Sequence, residues 1–330
     1  MEKKLKILVL GLGNFGKSWV ESVVSACSDI TELVGAVDED VNKHIERIPC
    51  FTKLEEAVSC TMPELVINVT PPHVHNEVNK WLMERNISVL CEKPIASNYE
   101  EAKVMQSFAK QSPSFLMIGE NYRYSEMFRY CRRLIENNNF GRIHMIECRF
   151  RHFHLDYSMY YHGKLEHPLL TDVAIHHLDV ARYLTGEEPV SVWAEEYSAP
   201  YSWYKERPAT ALILTTMTGN IRFNYFGTLA SPESTTDWSG DWEIECDHGI
   251  ICIQNGSIFT YENGSKNYHK VKKEDDSRIA ELREAVNAIK EGRKAETDIL
   301  DNFKTYQWLE AAIQSAQCSN KEIINISQLT

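Results

Sequence analysis

The feature that most restricts the fold of this chain is a run of three glycines, GLGNFG from Gly11 to Gly16, at the end of the first apolar segment. The residues before it, KILVL, read as a strand, and the stretch after it reads as an amphipathic helix. A strand that turns directly into a helix needs unusual backbone angles at Gly11. It also needs bare backbone at Gly13 and no side chain at Gly16, where helix and strand pack closest. After the next strand comes Asp38, 22 positions beyond Gly16. That spacing turns a weak glycine pattern into a dinucleotide site, with the pyrophosphate facing the helix N–H groups. Candidate cofactor residues are therefore Gly11, Gly13, Asn14, Phe15 and Gly16, with Asp38 accepting from the adenosine ribose hydroxyls. A carboxylate there repels a 2'-phosphate and no Arg or Lys immediately follows it, so NAD is the expected cofactor and NADP the second choice.

From Lys6 to about Tyr122 short apolar runs alternate with helical patterns: KILVLG, ELVGAVD, a weak strand at Pro49 to Thr52, LVINVT, SVLCEK and FLMIGEN. Amphipathic segments such as Val74 to Arg85 and Tyr99 to Lys110 separate them, which means βαβ units. Nearly continuous Val, Ile and Leu in the strands says that helices cover both sheet faces. After Arg123 the texture changes to a helix at Met127 to Asn137, a strand at Ile143 to His154, and a Tyr- and His-rich loop. A helix at Thr171 to Leu184 and a long series of strands with tight Gly-containing turns follow. Helices at Ser277 to Glu291 and Asp298 to Ala316 close the chain. The predicted fold class is α/β: a doubly wound parallel Rossmann sheet in residues 1–122, then an α+β domain with a large, mainly antiparallel open sheet in residues 123–330.

A net charge of −12 with no basic block argues against nucleic acid and anionic membrane as partners. No apolar stretch approaches the ~20 residues needed to span a bilayer. The opening MEKKLKILVLGLG resembles an export signal in its lysines, but the apolar run is short and breaks into glycines, so it reads as the first strand. Nine scattered cysteines without a CxxC pair fit reduced thiols in a cytoplasm.

Two further strand ends fall on the carboxyl edge of the parallel sheet, where ligands of such sheets bind. TPPHVH carries Thr70, Pro71 and His75, and CEKP carries Glu92 and Lys93, all candidates for the cofactor site. The Lys93 ammonium, set straight after a buried strand and locked by Pro94, is placed to hold a substrate hydroxyl and stabilise an alkoxide; a surface lysine at a strand exit is the plain alternative. In LLTDVAIHHLDVARYLTG, Asp172, His176, Asp179 and Tyr183 share one helical stripe, with His177 turned away. An imidazole oriented by a carboxylate one turn earlier is a usable acid–base pair, while a solvated face with Asp172 as a cap is the bland reading. His152, His154, His162 and His167 lack the further ligand a zinc site usually needs, so no metal is expected. His154 reads as lining a polar pocket, with Tyr157, Tyr160, Tyr161, Trp238 and Trp242 offering ring faces to a sugar, or serving as core.

GLGNFG, TPPHVH, CEKPIA followed by EEA, the GENYRY run, FGRI at Phe140 to Ile143, DVAIHHLD and the terminal EAAIQSAQ follow one another in an order that resembles the Gfo/Idh/MocA oxidoreductases, the glucose-fructose oxidoreductase and inositol dehydrogenase family. The resemblance covers almost the whole chain. It implies that Lys93, Asp172 and His176 are catalytic and that Asn121, Arg123, His154, Asp172 and His176 face the substrate, a sugar, sugar derivative or cyclitol. It implies too that the free sheet face packs against another subunit, giving a homodimer or homotetramer. Ala174 stands where the family helix usually has glycine, and HPLL at His167 to Leu170 replaces a glycine-rich approach, so the pocket floor is expected to differ. The expected reaction interconverts a secondary alcohol and a ketone. Its rivals are an NAD-dependent glycosidase working by transient oxidation and a catalytically silent NAD- and sugar-binding regulator.

Overall fold

The structure is a computed structural model that describes residues 3–137, 139–153, 161–272, 276–320 and 322–324. The chain forms two compact units, Met1–Asn121 with Asp276–Phe303, and Tyr122–Asp275 with Lys304–Thr330.

In the first unit β1 (Leu5–Leu10), β2 (Thr31–Val37), β3 (Cys50–Phe51), β4 (Leu65–Asn68), β5 (Ser88–Glu92) and β6 (Leu116–Gly119) form one sheet in the order β3-β2-β1-β4-β5-β6. Every neighbouring pair is parallel. The helices are α1 (Asn14–Ser18), α2 (Leu54–Thr61), α3 (Pro72–Met83) and α4 (Tyr99–Gln111), the last capped by Asn98, whose side chain accepts from the Glu101 N–H. Ile7, Leu8 and Val9 are fully buried although they alternate between faces, as a sheet covered on both sides requires. Strand order reverses between β1 and β4, so the loops after β1, β4 and β5 frame the crevice in which such sheets bind ligands.

The second unit contains α5 (Glu126–Glu136), β7 (Ile143–Arg151), a π-helical turn at Leu170–Ala174 that runs into α6 (Ile175–Thr185), β8 (Pro189–Tyr197), β9 (Thr210–Met217), β10 (Arg222–Thr228), β11 (Asp241–Cys246), β12 (Gly249–Gln254), β13 (Ser257–Glu262), β14 (Ser265–His269) and β15 (Glu322–Ile323). These strands make a nine-stranded sheet in the order β14-β13-β12-β11-β7-β10-β9-β8-β15, antiparallel throughout except for β7 beside β10. Phe150, Phe223, Ile146 and Ile213 are buried on its inner face, and Trp308 packs edge-on to Phe223 with centroids 5.2 Å apart.

Chain segment Asp276–Phe303, placed by the sequence reading after the 122/123 boundary, belongs to the first unit. It contains α7 (Ser277–Glu291) and the start of α8 (Ile299–Cys318). Ile118 donates its N–H to Thr297 O at 2.9 Å, and Thr297 Oγ1 donates to Ile118 O at 2.7 Å. The return thus covers the outer edge of β6, which would otherwise offer unpaired backbone groups. Among the described residues no helix is long and apolar enough to cross a membrane.

Helix α6 is buried on nearly all sides, so its polar residues are answered from within the second unit. Arg123 donates Nε to Asp179 Oδ2 at 2.7 Å and Nη2 to Oδ1 at 2.5 Å, and Thr305 Oγ1 adds a third bond to Asp179 at 3.1 Å. Removing one member of such a pair leaves a buried charge, so Asp179→Ala is expected to lower unfolding stability by about 3–5 kcal/mol. Urea denaturation followed by tryptophan fluorescence measures it, and a loss below about 1 kcal/mol would place the pair with weak surface bridges.

Candidate active site

The glycine loop shows why each glycine stands where it does. Gly11 has φ of +97°, and a Cβ there would lie 2.8 Å from Val69 O. At Gly16 a Cβ would collide with the Gly11 carbonyl oxygen, so the turn tolerates no side chain. Around the Gly13 Cβ position, in contrast, nothing lies within 4 Å. Gly13, Asn14 and Phe15 are exposed, leaving bare backbone that a phosphate can approach. The helix that follows is not regular: α1 passes into a π-helical stretch at Trp19–Val24. Nothing in the residue pattern marks this turn, although such turns are frequent at functional positions.

Asp38, its side chain 8% exposed, sits at the end of β2 beside this loop. Its Oδ2 accepts from the Leu12 N–H at 2.7 Å and its Oδ1 from the Asp40 N–H at 3.0 Å. Lys43 approaches both oxygens at 3.3 Å. The sequence reading that no base immediately follows Asp38 holds for its neighbours, but the fold brings a base back from five residues on.

Beyond β4, Asn68 Oδ1 accepts from Thr70 N–H and Thr70 Oγ1, fixing the Thr70–Pro71 turn. His75, expected at the cofactor, is fully buried instead. Its Nε2 lies 2.8 Å from Thr70 O and its Nδ1 2.9 Å from Pro94 O. Burial pushes its pKa down while the two carbonyls oppose that, and a neutral ring donates to only one of them at a time; the ring sits between the loop after β4 and the Lys93–Pro94 turn. Lys93 follows β5 directly, half-buried and joined to Pro94 by a cis peptide. Glu92 spends one carboxyl oxygen on Trp19, whose Nε1 donates to it at 2.7 Å. Asn121 donates Nδ2 to Ser277 Oγ at 2.8 Å, and so holds the first residue of α7.

In the second unit the π-helical turn carries Asp172, half-buried, and α6 carries His176 one turn later. His176 is 6% exposed and stacks on Tyr122 with centroids 4.4 Å apart. Its neighbour His177 points elsewhere, as the helical stripe predicts. It donates Nε2–H to Trp238 O (3.1 Å) and accepts at Nδ1 from the Tyr225 hydroxyl (3.2 Å). Burial pushes His177 down to about 3, so it is a neutral structural group. Arg123, expected to face substrate, is buried and bonded through Nε and Nη2 to Asp179. Trp242 is core, edge-on to Phe128, while Trp238 is 42% exposed and stacks on His152 at 4.1 Å. His167 bonds Glu196 Oε2 at 2.6 Å, and Pro168, Leu169 and Leu170 are buried, so HPLL anchors the start of the helix. His154, Tyr157 and Tyr160 lie outside the described residues, as does the side chain of Tyr161.

Sequence comparison agrees with this geometry. A family described as "Oxidoreductase family, NAD-binding Rossmann fold" matches residues 5–120, and the "GFO/IDH/MocA C-terminal domain" matches residues 128–252. The chain belongs to the GFO/IDH/MocA family. Its first unit is an NAD-binding Rossmann domain, and the protein is an oxidoreductase. The chain is similar to protein y4oX of Sinorhizobium fredii, 24% identical over 77% of this chain and 74% of that one. It is similar also to an inositol 2-dehydrogenase of Corynebacterium glutamicum, 24% identical over 68% and 70%. In fold it matches an Agrobacterium radiobacter oxidoreductase solved with NAD+, L-tartaric acid and magnesium, with a TM-score of 0.87, 18% identity, and 98% and 99% of the two chains covered.

One group beneath the loop has no place in the sequence reading. Glu281 of α7 is fully buried, and neither carboxyl oxygen has a hydrogen-bond partner. Burial pushes its pKa well above the usual range; Glu92, Glu120 and Asp276 push the same way and Arg278 opposes them. Loss of water around the Glu92 carboxyl pushes that group up to about 7. In the unfolded chain such carboxyls ionise near 4.5, whereas in the folded chain they keep their protons, so the folded state binds more protons and rising pH favours unfolding. The stability of the neutral forms is complete below the unfolded value and is lost as the pH climbs to about 7 for Glu92 and higher for Glu281. The melting temperature is expected to fall between about pH 5 and pH 8, and to fall less steeply in Glu281→Gln, which is neutral at every pH. Equal slopes in scanning calorimetry would rule Glu281 out as the cause.

Proposed function

We propose that this protein interconverts a secondary alcohol and a ketone on a sugar, sugar derivative or cyclitol, with NAD as its cofactor. The observation that carries the reading is the presence, in one family member, of an NAD-binding unit with Lys93 directly after strand β5 and of a π-helical turn and buried helix that carry Asp172 and His176. Similarity to proteins named inositol 2-dehydrogenase supports the substrate class. The open backbone at Gly13 and the carboxylate of Asp38 fit the dinucleotide, with Asn14, Phe15, Thr70 and Pro71 at the same edge. Bound NAD supplies the hydride acceptor.

The chain's own residues handle the proton and the oxygen. His176 takes the hydroxyl proton and is suited to it because its ring is fixed by stacking on Tyr122. Asp172 orients the imidazole and favours its charged form. The Lys93 ammonium holds the substrate oxygen and stabilises the negative charge that develops on it. His177, neutral and spent on Tyr225 and Trp238, takes no part in proton transfer.

We assign the outer face of the nine-stranded sheet to self-association. Trp193 and Leu214 are cross-strand partners on it, and Leu214 is 51% exposed. Cysteine usage fits a cytoplasmic setting, the nine thiols being unpaired.

A panel of sugars, sugar phosphates and inositols with NAD and NADP, read by reduced-cofactor fluorescence, identifies the substrate. On that substrate Lys93→Ala and His176→Ala are each expected to lose about 10²–10⁴-fold in kcat while NADH still binds. Full turnover in both variants would reject the assignment. Sugar release without net NADH would point to a hydrolase, and NADH binding with a flat panel to a regulator. In sedimentation, Leu214→Arg is expected to shift the protein toward monomer, and an unchanged profile would move the interface elsewhere.

A further inference from the structure

Residues Gly13 to Phe15 are exposed, and α1 is five residues long with no side-chain cap on its first turn, so the placement of the loop depends on what holds it from behind. Arg278 of α7 does this from 260 residues away. Its Nη2 donates to Ser18 Oγ at 2.9 Å, and its guanidinium carbon lies 4.6 Å from the Phe15 ring centroid and 5.4 Å from that of Trp19. Asp276, the residue that caps α7, accepts from Arg278 N–H at 3.0 Å and from Nε at 3.0 and 3.1 Å, so the Nε–Nη2 edge of the guanidinium is held between Asp276 and Ser18. Trp19 continues the chain of contacts to Glu92, the residue before Lys93.

We propose that Arg278 is a positioning residue for the dinucleotide loop, fixing Phe15 and Ser18 so that the N–H groups of α1 meet the cofactor already ordered. Three features go beyond packing. The residue is 9% exposed, and its Nη1 is buried without a partner. Such an arrangement costs stability and persists where the cation does something for its neighbours. Its planar face lies against an aromatic ring of the loop, a contact that orients that ring as well as attracting it. Glu281, one turn on in the same helix, is an unpartnered carboxyl held neutral by burial, which leaves Asp276 as the anion bonded to Arg278. A pre-ordered loop binds more tightly because less freedom is lost on binding.

The test compares NADH dissociation constants from fluorescence titration with melting temperatures of the ligand-free protein, for Arg278→Gln, Arg278→Lys, Ser18→Ala and the double variant Ser18→Ala/Arg278→Gln. Arg278→Gln is expected to weaken NADH binding about tenfold. Lysine restores the charge but not the planar fork, so Arg278→Lys should remain impaired. Ser18→Ala should weaken binding about two- to threefold alone and add nothing in the double variant, because both changes cut one route. A folded Arg278→Gln with unchanged NADH affinity overturns the proposal, as does an additive double variant. So does a set of affinities that merely follows the melting temperatures. Should Arg278→Gln not fold, Ser18→Ala decides, since it removes one hydroxyl, and wild-type affinity there overturns the proposal. A wild-type protein that bound no NADH would overturn the cofactor assignment with it.

Discussion

The first unit depends on one close approach, that of the Gly16 α-carbon to the carbonyl oxygen of Gly11. Any side chain at position 16 would lie on that oxygen, so the distance at which β1 hands over to α1 is set by the lack of a Cβ. Gly11 itself must take a positive φ because Val69, at the end of β4, closes the space a side chain would need. The neighbouring strands are thereby fixed relative to the loop: Gly11 N–H donates to Val37 O and Val69 N–H to Leu10 O, each at 2.8 Å. From those two bonds follow the positions of Asp38 after β2 and Thr70 after β4, the residues at the crevice edge.

The second unit solves a different problem, a helix with four ionisable side chains in eight residues that is buried on nearly all sides. Burying such groups is costly unless each is neutral or paired. His177 is neutral between a hydroxyl and a carbonyl, and Asp179 is paired with Arg123. The consequence is a division of labour within DVAIHHLD. Residues 177 and 179 hold the helix in place, and residues 172 and 176 are the pair proposed above for the proton chemistry. The helical stripe drawn from the sequence groups 172, 176 and 179 together; the fold separates the last of them because an arginine from the preceding segment claims it.

What was legible in the sequence follows from how local its physical cause is. Five of the six parallel strands are visible because both-face burial favours runs of Val, Ile and Leu, whereas β3, only Cys50–Phe51, is a weak signal, and α7 is visible because its apolar period runs over fifteen residues. β14, with the sequence SKNYH, and β15, two residues long, have neither signal, and pairing with a neighbour alone makes them strands. The two π-helical stretches were hidden for a related reason, since one extra residue in a turn leaves composition unchanged. The contacts of His75 to Pro94 and of Asn121 to Ser277 are announced by no local pattern; they bury the first ring away from the crevice and tie the second residue to α7.

The return of Asp276–Phe303 to the first unit is the step the sequence hid most completely, and it changes what that unit is. A Rossmann sheet that ended at β6 would present an open edge strand and a glycine loop backed by its own short helix. The returning segment closes the edge through Thr297 and sets Arg278, Asp276 and Glu281 behind the loop. Each of those three is unfavourable alone: a buried cation, the anion that must be fixed beside it, and a carboxyl that keeps its proton. Their costs are accepted together in one place, on the first turn and a half of α7, where Arg278 meets Phe15 of the glycine loop and Ser18 of α1. Polar strain gathered at a binding loop, in a unit otherwise built of Val, Ile and Leu, is what separates a scaffold from a site.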